Sequence, residues 1–402
     1  MFRIALSLIA FRILDDNFLQ PAAGTSATDH LASALVPLAL LALAAWLHPR
    51  LRAGAQGALA IVVGIAGLAT GVDAIHYARA TGLGSDDISG FLAIAGALLL
   101  FAEAAHTLWR SRRAGRWRYA RRAGITAGGL VAAAVLVLPF GTAYVGAHVA
   151  TAGVPADHLG AAHETVTFET NDGLTLEGWY IPSRNGAAII SFPGRKGPQR
   201  QARMLARHGY GVLVFDRRGE GRSEGTPDIL GWGGDEDIKA AIRYLQHRPD
   251  VDPKRIGGIG LSVGGELMLE TAAETPDLAA VVSEGAGART RAEEVDDEAL
   301  PGRDRLLTHA TYALRDAVHA VATNRTPPQH LKTLVPKIAP RPLLLIADPE
   351  SQNGEKLNRL YYKTAREPKA LWEIPHAGHV NGIAARPAEY ERRVVDFFDR
   401  AL

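Results

Sequence analysis

Ser262 stands in the run Gly260-Leu261-Ser262-Val263-Gly264, directly after an apolar stretch that reads as a strand and before one that reads as a helix. A serine at such a turn is held in a strained backbone with its hydroxyl projecting outward, and the glycines on either side let strand and helix pass closely. Its hydroxyl becomes a useful nucleophile only when a base takes the proton, a task that suits a neutral histidine near pH 7. Two histidines, His376 and His379, lie just beyond the last strand-like segment. A plainer reading of Ser262 is the N-cap of a helix after a tight turn.

The same segment also reads Gly258-x-Gly260-x-x-x-Gly264, close to a dinucleotide-binding loop, and Glu284 ends the next strand where a ribose-binding acid would stand. Val263 replaces the third glycine of that fingerprint, however, and no Tyr-x-x-x-Lys pair occurs near Tyr361, Tyr362 and Lys363. No cofactor is implied. The chain has 0 cysteines, which rules out disulfides, thiolate metal sites and a cysteine nucleophile. His163-Glu164 begins like a zinc motif, but Thr167 occupies the place of its second histidine. A formal net charge of +2 over 402 residues gives no reason to expect a nucleic-acid partner.

The elements that must position these residues begin near residue 164. Val166–Thr170 and Leu174–Ile181 alternate as strands around the hairpin signal Asn171-Asp172-Gly173. Further strands are expected at Ala187–Phe192, Gly211–Phe215, Ile256–Gly260, Leu278–Ser283, Pro342–Ala347 and Ala370–Ile374, with helical patterns such as Asp235–His247 and Glu355–Ala365 between them. That alternation implies an α/β fold with a mostly parallel sheet covered on both faces, whose chemistry belongs at the carboxyl ends of the strands.

Residues 1–150 are different in kind. They hold no lysine, and apolar runs occupy Leu31–Leu47, Gln56–Tyr77, Ile88–Trp109 and Ile125–Val149. A bilayer core of about 30 Å takes about 20 apolar residues, so the expectation is an all-α membrane domain of about four helices, with the lipid bilayer as its partner. Phe2–Leu14 is shorter and interrupted by Arg3 and Arg12; it reads as a segment lying along the interface. Arg50 and Arg52 mark one loop and Arg110, Arg112, Arg113, Arg116, Arg118, Arg121 and Arg122 another. Such loops collect on the cytoplasmic side, which places everything after residue 150 outside the cytoplasm.

Residues 164–402 resemble the α/β-hydrolase superfamily, in its serine esterase and dienelactone-hydrolase-like branch. Four motifs carry the resemblance in the family's order: Phe192-Pro193-Gly194-Arg195, Asp216-Arg217-Arg218-Gly219-Glu220-Gly221-Arg222-Ser223, the turn around Ser262, and Ala377-Gly378-His379. The first departs from the family, with Pro193 where a histidine is usual. The resemblance implies Ser262 as nucleophile, His379 rather than His376 as base, and an oxyanion hole from the backbone N–H groups of Val263 and Arg195. It also implies an acid in the loop after Pro342–Ala347 to orient the base. The usual spacing falls on Ser351; a one-residue gap selects Glu350, with Asp348 as the alternative. Glu355 reads instead as opening the next helix, where a carboxylate suits the helix dipole.

The expected organisation is thus a membrane domain over 1–150, a linker over 151–163 and a hydrolase domain over 164–402. A cap insertion falls at about 288–340, and its acidic run, Glu293, Glu294, Asp296, Asp297 and Glu298, reads as a solvated face. The expected activity is cleavage of a small or amphipathic acyl ester through an acyl-enzyme; thioesters, amides and acyl transfer use the same chemistry. The alternative is a catalytically silent hydrolase-fold module on a functional membrane domain.

Overall fold

The computed structural model describes residues 1–20, 30–81, 85–111, 115–134, 138–147, 159–194, 197–290, 292–295, 302–351 and 355–402. The chain divides into two units, Met1–Ala150 and Thr151–Leu402. The first is helical: α1 (Phe2–Leu14), α2 (Leu31–Leu47), α3 (Ala53–Thr81), α4 (Ser85–Ser111), α5 (Arg116–Ala132) and α6 (Leu138–Ala147). Ser33–Arg50, Ala53–Gly71 and Ile88–Arg110 are long and apolar enough to cross a membrane. The fourth expected run falls on α5 and α6, with residues 135–137 and 148–149 outside the described set.

Phe2–Leu14 does not stand apart as an interfacial strip. Phe2, Ala5, Leu6 and Ile9 are buried in one cluster with Ala60 of α3 and Leu100 of α4. Small residues make this possible. A Cβ on Gly67 would lie 2.4 Å from Ile9 Cδ1, and one on Gly96 would lie 2.8 Å from the Ala5 carbonyl oxygen. Close approach at glycine is the usual way apolar helices pack where no hydrophobic force separates them from lipid.

The second unit is built on eight strands: β1 (Glu164–Glu169), β2 (Thr175–Ile181), β3 (Ala188–Phe192), β4 (Gly211–Phe215), β5 (Ile256–Leu261), β6 (Ala280–Glu284), β7 (Leu343–Ala347) and β8 (Lys369–Glu373). They form one sheet in the order β1-β2-β4-β3-β5-β6-β7-β8, antiparallel at β1–β2 and β2–β4 and parallel elsewhere. All eight expected strands are present. The intervening helices are α7 (Gln199–Arg207), α8 (Asp235–Gln246), α9 (Val263–Glu274), α10 (Gly302–Thr323), α11 (Leu331–Leu334), α12 (Leu357–Thr364), α13 (Gly382–Ala385) and α14 (Pro387–Ala401).

Period-two alternation divides the strand residues between two cores. Ala188, Ile190, Phe192, Leu213 and Phe215 face α8 and α9, whereas Ile189, Val212 and Val214 face α7 and α14. From β3 the chain crosses to β4 on one side; from β5 it proceeds to β6 on the other. The strand order therefore reverses between β3 and β5, and the crevice beyond their carboxyl ends is where such sheets bind ligands. Ser262 follows β5 and Gly194 follows β3.

The Asp216–Ser223 segment is a scaffold turn. Arg218 donates through Nε to Asp237 Oδ1 at 2.7 Å and through Nη1 to Asp172 Oδ2 at 2.8 Å, which ties the β1–β2 hairpin to the start of α8. Burial lifts the Asp237 carboxyl to about 6 against the pull of that guanidinium. Ser223 Oγ donates to the Asp216 carbonyl at 2.7 Å and accepts from Glu177 N at 3.0 Å. The insertion holds α10, anchored by His319 Nε2 on Asp228 Oδ1 at 2.8 Å. Its acidic run is not a uniformly solvated face. Glu293 is fully buried, accepting from Arg289 N at 2.9 Å and Lys332 N at 3.3 Å, and burial lifts its carboxyl to about 7. Asp296, Asp297 and Glu298 lie outside the described residues.

An acid whose folded pKa exceeds its unfolded one withdraws stability as pH rises from the unfolded to the folded value. At Asp237 that loss ends near the folded value of about 6, and without Arg218 it continues upward. Arg218→Ala is therefore expected to cost about 3–5 kcal/mol at pH 8, and less at pH 5.5. Arg222→Ala, whose side chain is 78% exposed, is expected to cost under about 1 kcal/mol at either pH. Urea unfolding at the two pH values checks both.

Candidate active site

Ser262 occupies φ 55 and ψ −126, a conformation that a side chain tolerates only when its surroundings impose it. The imposition is visible on three sides. A Cβ on Gly260 would lie 2.1 Å from the Gly264 carbonyl oxygen, and one on Gly264 would lie 2.4 Å from the Pro193 carbonyl oxygen. One on Gly194 would lie 2.6 Å from the Leu261 carbonyl oxygen and 2.8 Å from Ser262 Cβ. The loop after β3, the end of β5 and the first turn of α9 thus meet at backbone distance. Ser262 N donates to the Glu284 carbonyl at 2.8 Å, locking the turn to β6.

His379 Nε2 lies 2.8 Å from Ser262 Oγ. Its Nδ1 lies 2.6 Å from Glu355 Oε1. An imidazole protonated at Nδ1 donates to Glu355 and accepts from the serine hydroxyl, the tautomer in which Nε2 can take a proton. The Glu355 side chain is 1% exposed, and its second oxygen accepts from Asp348 N at 2.7 Å.

The sequence expectation for the acid is therefore corrected. Glu350 does not reach His379; it pairs with His376, Oε2 to Nδ1 at 2.7 Å, on an exposed edge. Asp348 does not reach it either. Asp348 accepts from Gly378 N at 2.8 Å and Glu350 N at 3.0 Å, fixing the turn that presents His379. Glu355 does not open a helix, since α12 begins at Leu357 and the Glu355 carboxylate is committed to His379 and to Asp348 N. The physical reason is reach. The carboxylate that meets His379 stands eight residues beyond the end of β7, at Glu355, farther than spacing measured from the strand end anticipates.

Glu284, weighed above only as a ribose-binding acid, instead braces the segment that follows His379. Oε1 accepts from Gly382 N at 2.8 Å and Oε2 from Tyr390 OH at 2.5 Å. Burial raises its carboxyl above the ordinary value in spite of these donors. Glu284 is 2% exposed and bonded to these two donors, which turns its carboxylate inward rather than toward a ribose. The signal that could have found it was its position: a carboxylate ending a wholly apolar central strand needs buried partners.

Val263 is the first residue of α9, where a backbone N–H has no acceptor within the helix and is free to face an anion. Arg195, the other expected oxyanion donor, lies outside the described residues, as does Lys196. Among the described residues no group of His, Asp and Glu is arranged to hold a metal ion. The assembly can move a proton from Ser262 Oγ to His379 and leave a nucleophilic oxygen beside a helix N-terminus.

Residues 161–333 match the family described as X-Pro dipeptidyl-peptidase (S15 family). The uncharacterized protein YfhR of Escherichia coli (strain K12) is 30% identical over 257 residues, covering 60% of this chain and 81% of YfhR. The uncharacterized protein Rv2307c of Mycobacterium tuberculosis is 31% identical over 227 residues, covering 54% of this chain and 73% of that one. Among solved structures, the Pyrococcus furiosus esterase Pf2001 superposes with a TM-score of 0.51 at 22% identity, covering 63% of this chain and 98% of the esterase.

Glu355→Gln is expected to slow modification of Ser262 by a fluorophosphonate by about 100-fold or more, and Glu350→Gln to leave it within about twofold. Timed labelling of the full chain distinguishes the two carboxylates.

Proposed function

The chain belongs to the α/β-hydrolase superfamily, and on that footing we propose that it is a membrane-anchored serine hydrolase that cleaves a carboxylic ester or a related acyl bond. The observation that carries this reading is the continuous hydrogen-bond chain Ser262–His379–Glu355, at 2.8 and 2.6 Å, beneath a strained nucleophile turn. Ser262 Oγ attacks the acyl carbon while His379 Nε2 takes its proton. The carbonyl oxygen becomes an oxyanion facing the Val263 N–H. The C–O bond to the alcohol then breaks, and His379 returns the proton to the leaving alkoxide. Water repeats the sequence on the acyl-enzyme, releasing the acid and restoring Ser262. Glu355 keeps the imidazole in the working tautomer and stabilises it when charged.

The three apolar helices of the first unit support anchoring in a bilayer. The arginine-rich loops around Arg50–Arg52 and Arg110–Arg122 support a cytoplasmic position for those loops and an extracytoplasmic one for the hydrolase unit. A carboxylate hydrogen-bonded to His379 counts against the alternative of a catalytically silent module.

The full chain in detergent is expected to hydrolyse p-nitrophenyl esters between acetate and octanoate. Ser262→Ala should lower kcat by at least about 1,000-fold. Glycyl-prolyl p-nitroanilide, the amide that the matched family's description suggests, is expected to be turned over more slowly than the preferred ester. A folded chain with no ester turnover and no serine labelling would defeat the proposal.

A further inference from the structure

Arg110, Arg112, Arg113, Arg116, Arg118, Arg121 and Arg122 gather where α4 gives way to α5, and no aspartate or glutamate stands between Glu103 and Asp157. Arg110, Arg116, Arg118, Arg121 and Arg122 make no ion pair among the described residues. The charge bias of membrane loops accounts for arginines at such a place. It does not account for a cavity between the two helices. One of about 430 Å³ is present, lined by Ala105, Leu108 and Trp109 from the last two turns of α4 and by Arg116 and Tyr119 from the first turn of α5. That volume lies within the range of sites that take small molecules.

Its walls are held by close packing. Thr126 Oγ1 donates to the Gly54 carbonyl at 2.8 Å, and a Cβ on Gly54 would lie 2.7 Å from the Arg122 carbonyl oxygen, so α5 is seated on the start of α3. A Cβ on Gly57 would lie 3.8 Å from Leu108 Cγ and 3.4 Å from Thr126 Oγ1, so α4 and α5 meet over the same glycine. Arg116 and Tyr119, three residues apart, share one face of α5, whereas Trp117 is 89% exposed and lies off the cavity. The lining is graded in polarity. Ala105 and Leu108 are apolar, Trp109 and Tyr119 each carry one polar atom on a ring, and Arg116 brings a cation with no carboxylate against it. Aromatic rings of this kind sit at the headgroup level of a bilayer, and a guanidinium fork can bind two phosphate oxygens at once.

We infer that this cavity holds the headgroup of an anionic glycerophospholipid, of the phosphatidylglycerol kind, in the leaflet that the arginine-rich loop faces. Arg116 takes the phosphate, Trp109 and Tyr119 flank the glycerol, and Ala105 and Leu108 meet the start of the acyl chains. The other arginines raise the local concentration of anionic lipid without selecting a pose. The inference rests on the bilayer anchoring proposed above and is independent of the chemistry at Ser262.

The test uses the full chain carrying Ser262→Ala, so that no lipid is turned over, stripped of lipid in neutral detergent. Dioctanoyl phosphatidylglycerol and dioctanoyl phosphatidylcholine are titrated in, and bound lipid is counted by native mass spectrometry. Phosphatidylglycerol is expected to bind at least about tenfold more tightly than phosphatidylcholine. Arg116→Ala with Tyr119→Ala should weaken it at least about tenfold. Arg118→Ala removes the same charge from an exposed position two residues away, and should leave binding within about twofold. Arg116→Lys keeps the charge and gives up the planar fork; it should fold as the parent does and bind at least about threefold more weakly. Equal affinity for the two lipids overturns the inference, as does an equal loss in Arg118→Ala, which would mean diffuse attraction to the loop. Displacement of the lipid by millimolar inorganic phosphate also overturns it, since the cavity would then be a site for free anions. A chain that alkaline carbonate strips from membranes refutes the anchoring, and this inference with it. An embedded chain without lipid selectivity refutes this inference alone.

Discussion

The backbone of Ser262 is the constraint around which the second unit is arranged. A residue at φ 55 and ψ −126 carries strain of order 1–3 kcal/mol, and here three backbone segments supply the compensation. Each meets the turn at a glycine because a side chain of any size would force them apart: Gly194 from the β3 loop, Gly260 at the end of β5 and Gly264 in α9. The sheet order places β3 and β5 side by side, and that adjacency is what lets the β3 loop press on the turn from across the crevice. Remove the adjacency and the nucleophile relaxes into an ordinary helix start.

How much of this was legible in the sequence follows the range of the forces involved. The strands and the turn at Ser262 were legible because alternation, apolar runs and glycine spacing act over a few residues. Three apolar helices were legible for the same reason, since a bilayer imposes a length on a single segment. His379 could be picked over His376 from its Gly-His setting. Glu355 could not, because the loop from Asp348 to Glu355 has no periodicity and its closure is decided by where His379 stands in space. Glu350 and Asp348 both lie nearer the strand end, and each has another partner. The interfacial reading of Phe2–Leu14 failed for a related reason: what covers its apolar face is set by Gly67 and Gly96 on helices far along the chain.

Buried charge does a second kind of work in this unit. Arg218 joins a hairpin to a helix, Arg289 is wholly buried and bonds Glu270 on α9 at 2.6 Å, and Glu293 closes the start of the insertion. Such groups are costly to desolvate and add little net stability over apolar residues of like shape. What they add is direction. Each bond is satisfied in one arrangement of its partners, so it fixes how the described parts of the connections after β4 and β6 sit against α8 and α9.

Glu284 joins the two halves of the reactive pair in one rigid part. Its main-chain carbonyl holds the amide of Ser262, and its carboxylate holds the amide of Gly382, three residues beyond His379. The nucleophile and its base come from positions 117 residues apart in the chain, yet both are pinned to the same amino acid. A displacement of Glu284 carries both hydrogen-bonded amides with it. A machinist would recognise the device as a common datum: tolerances measured from one reference face do not accumulate.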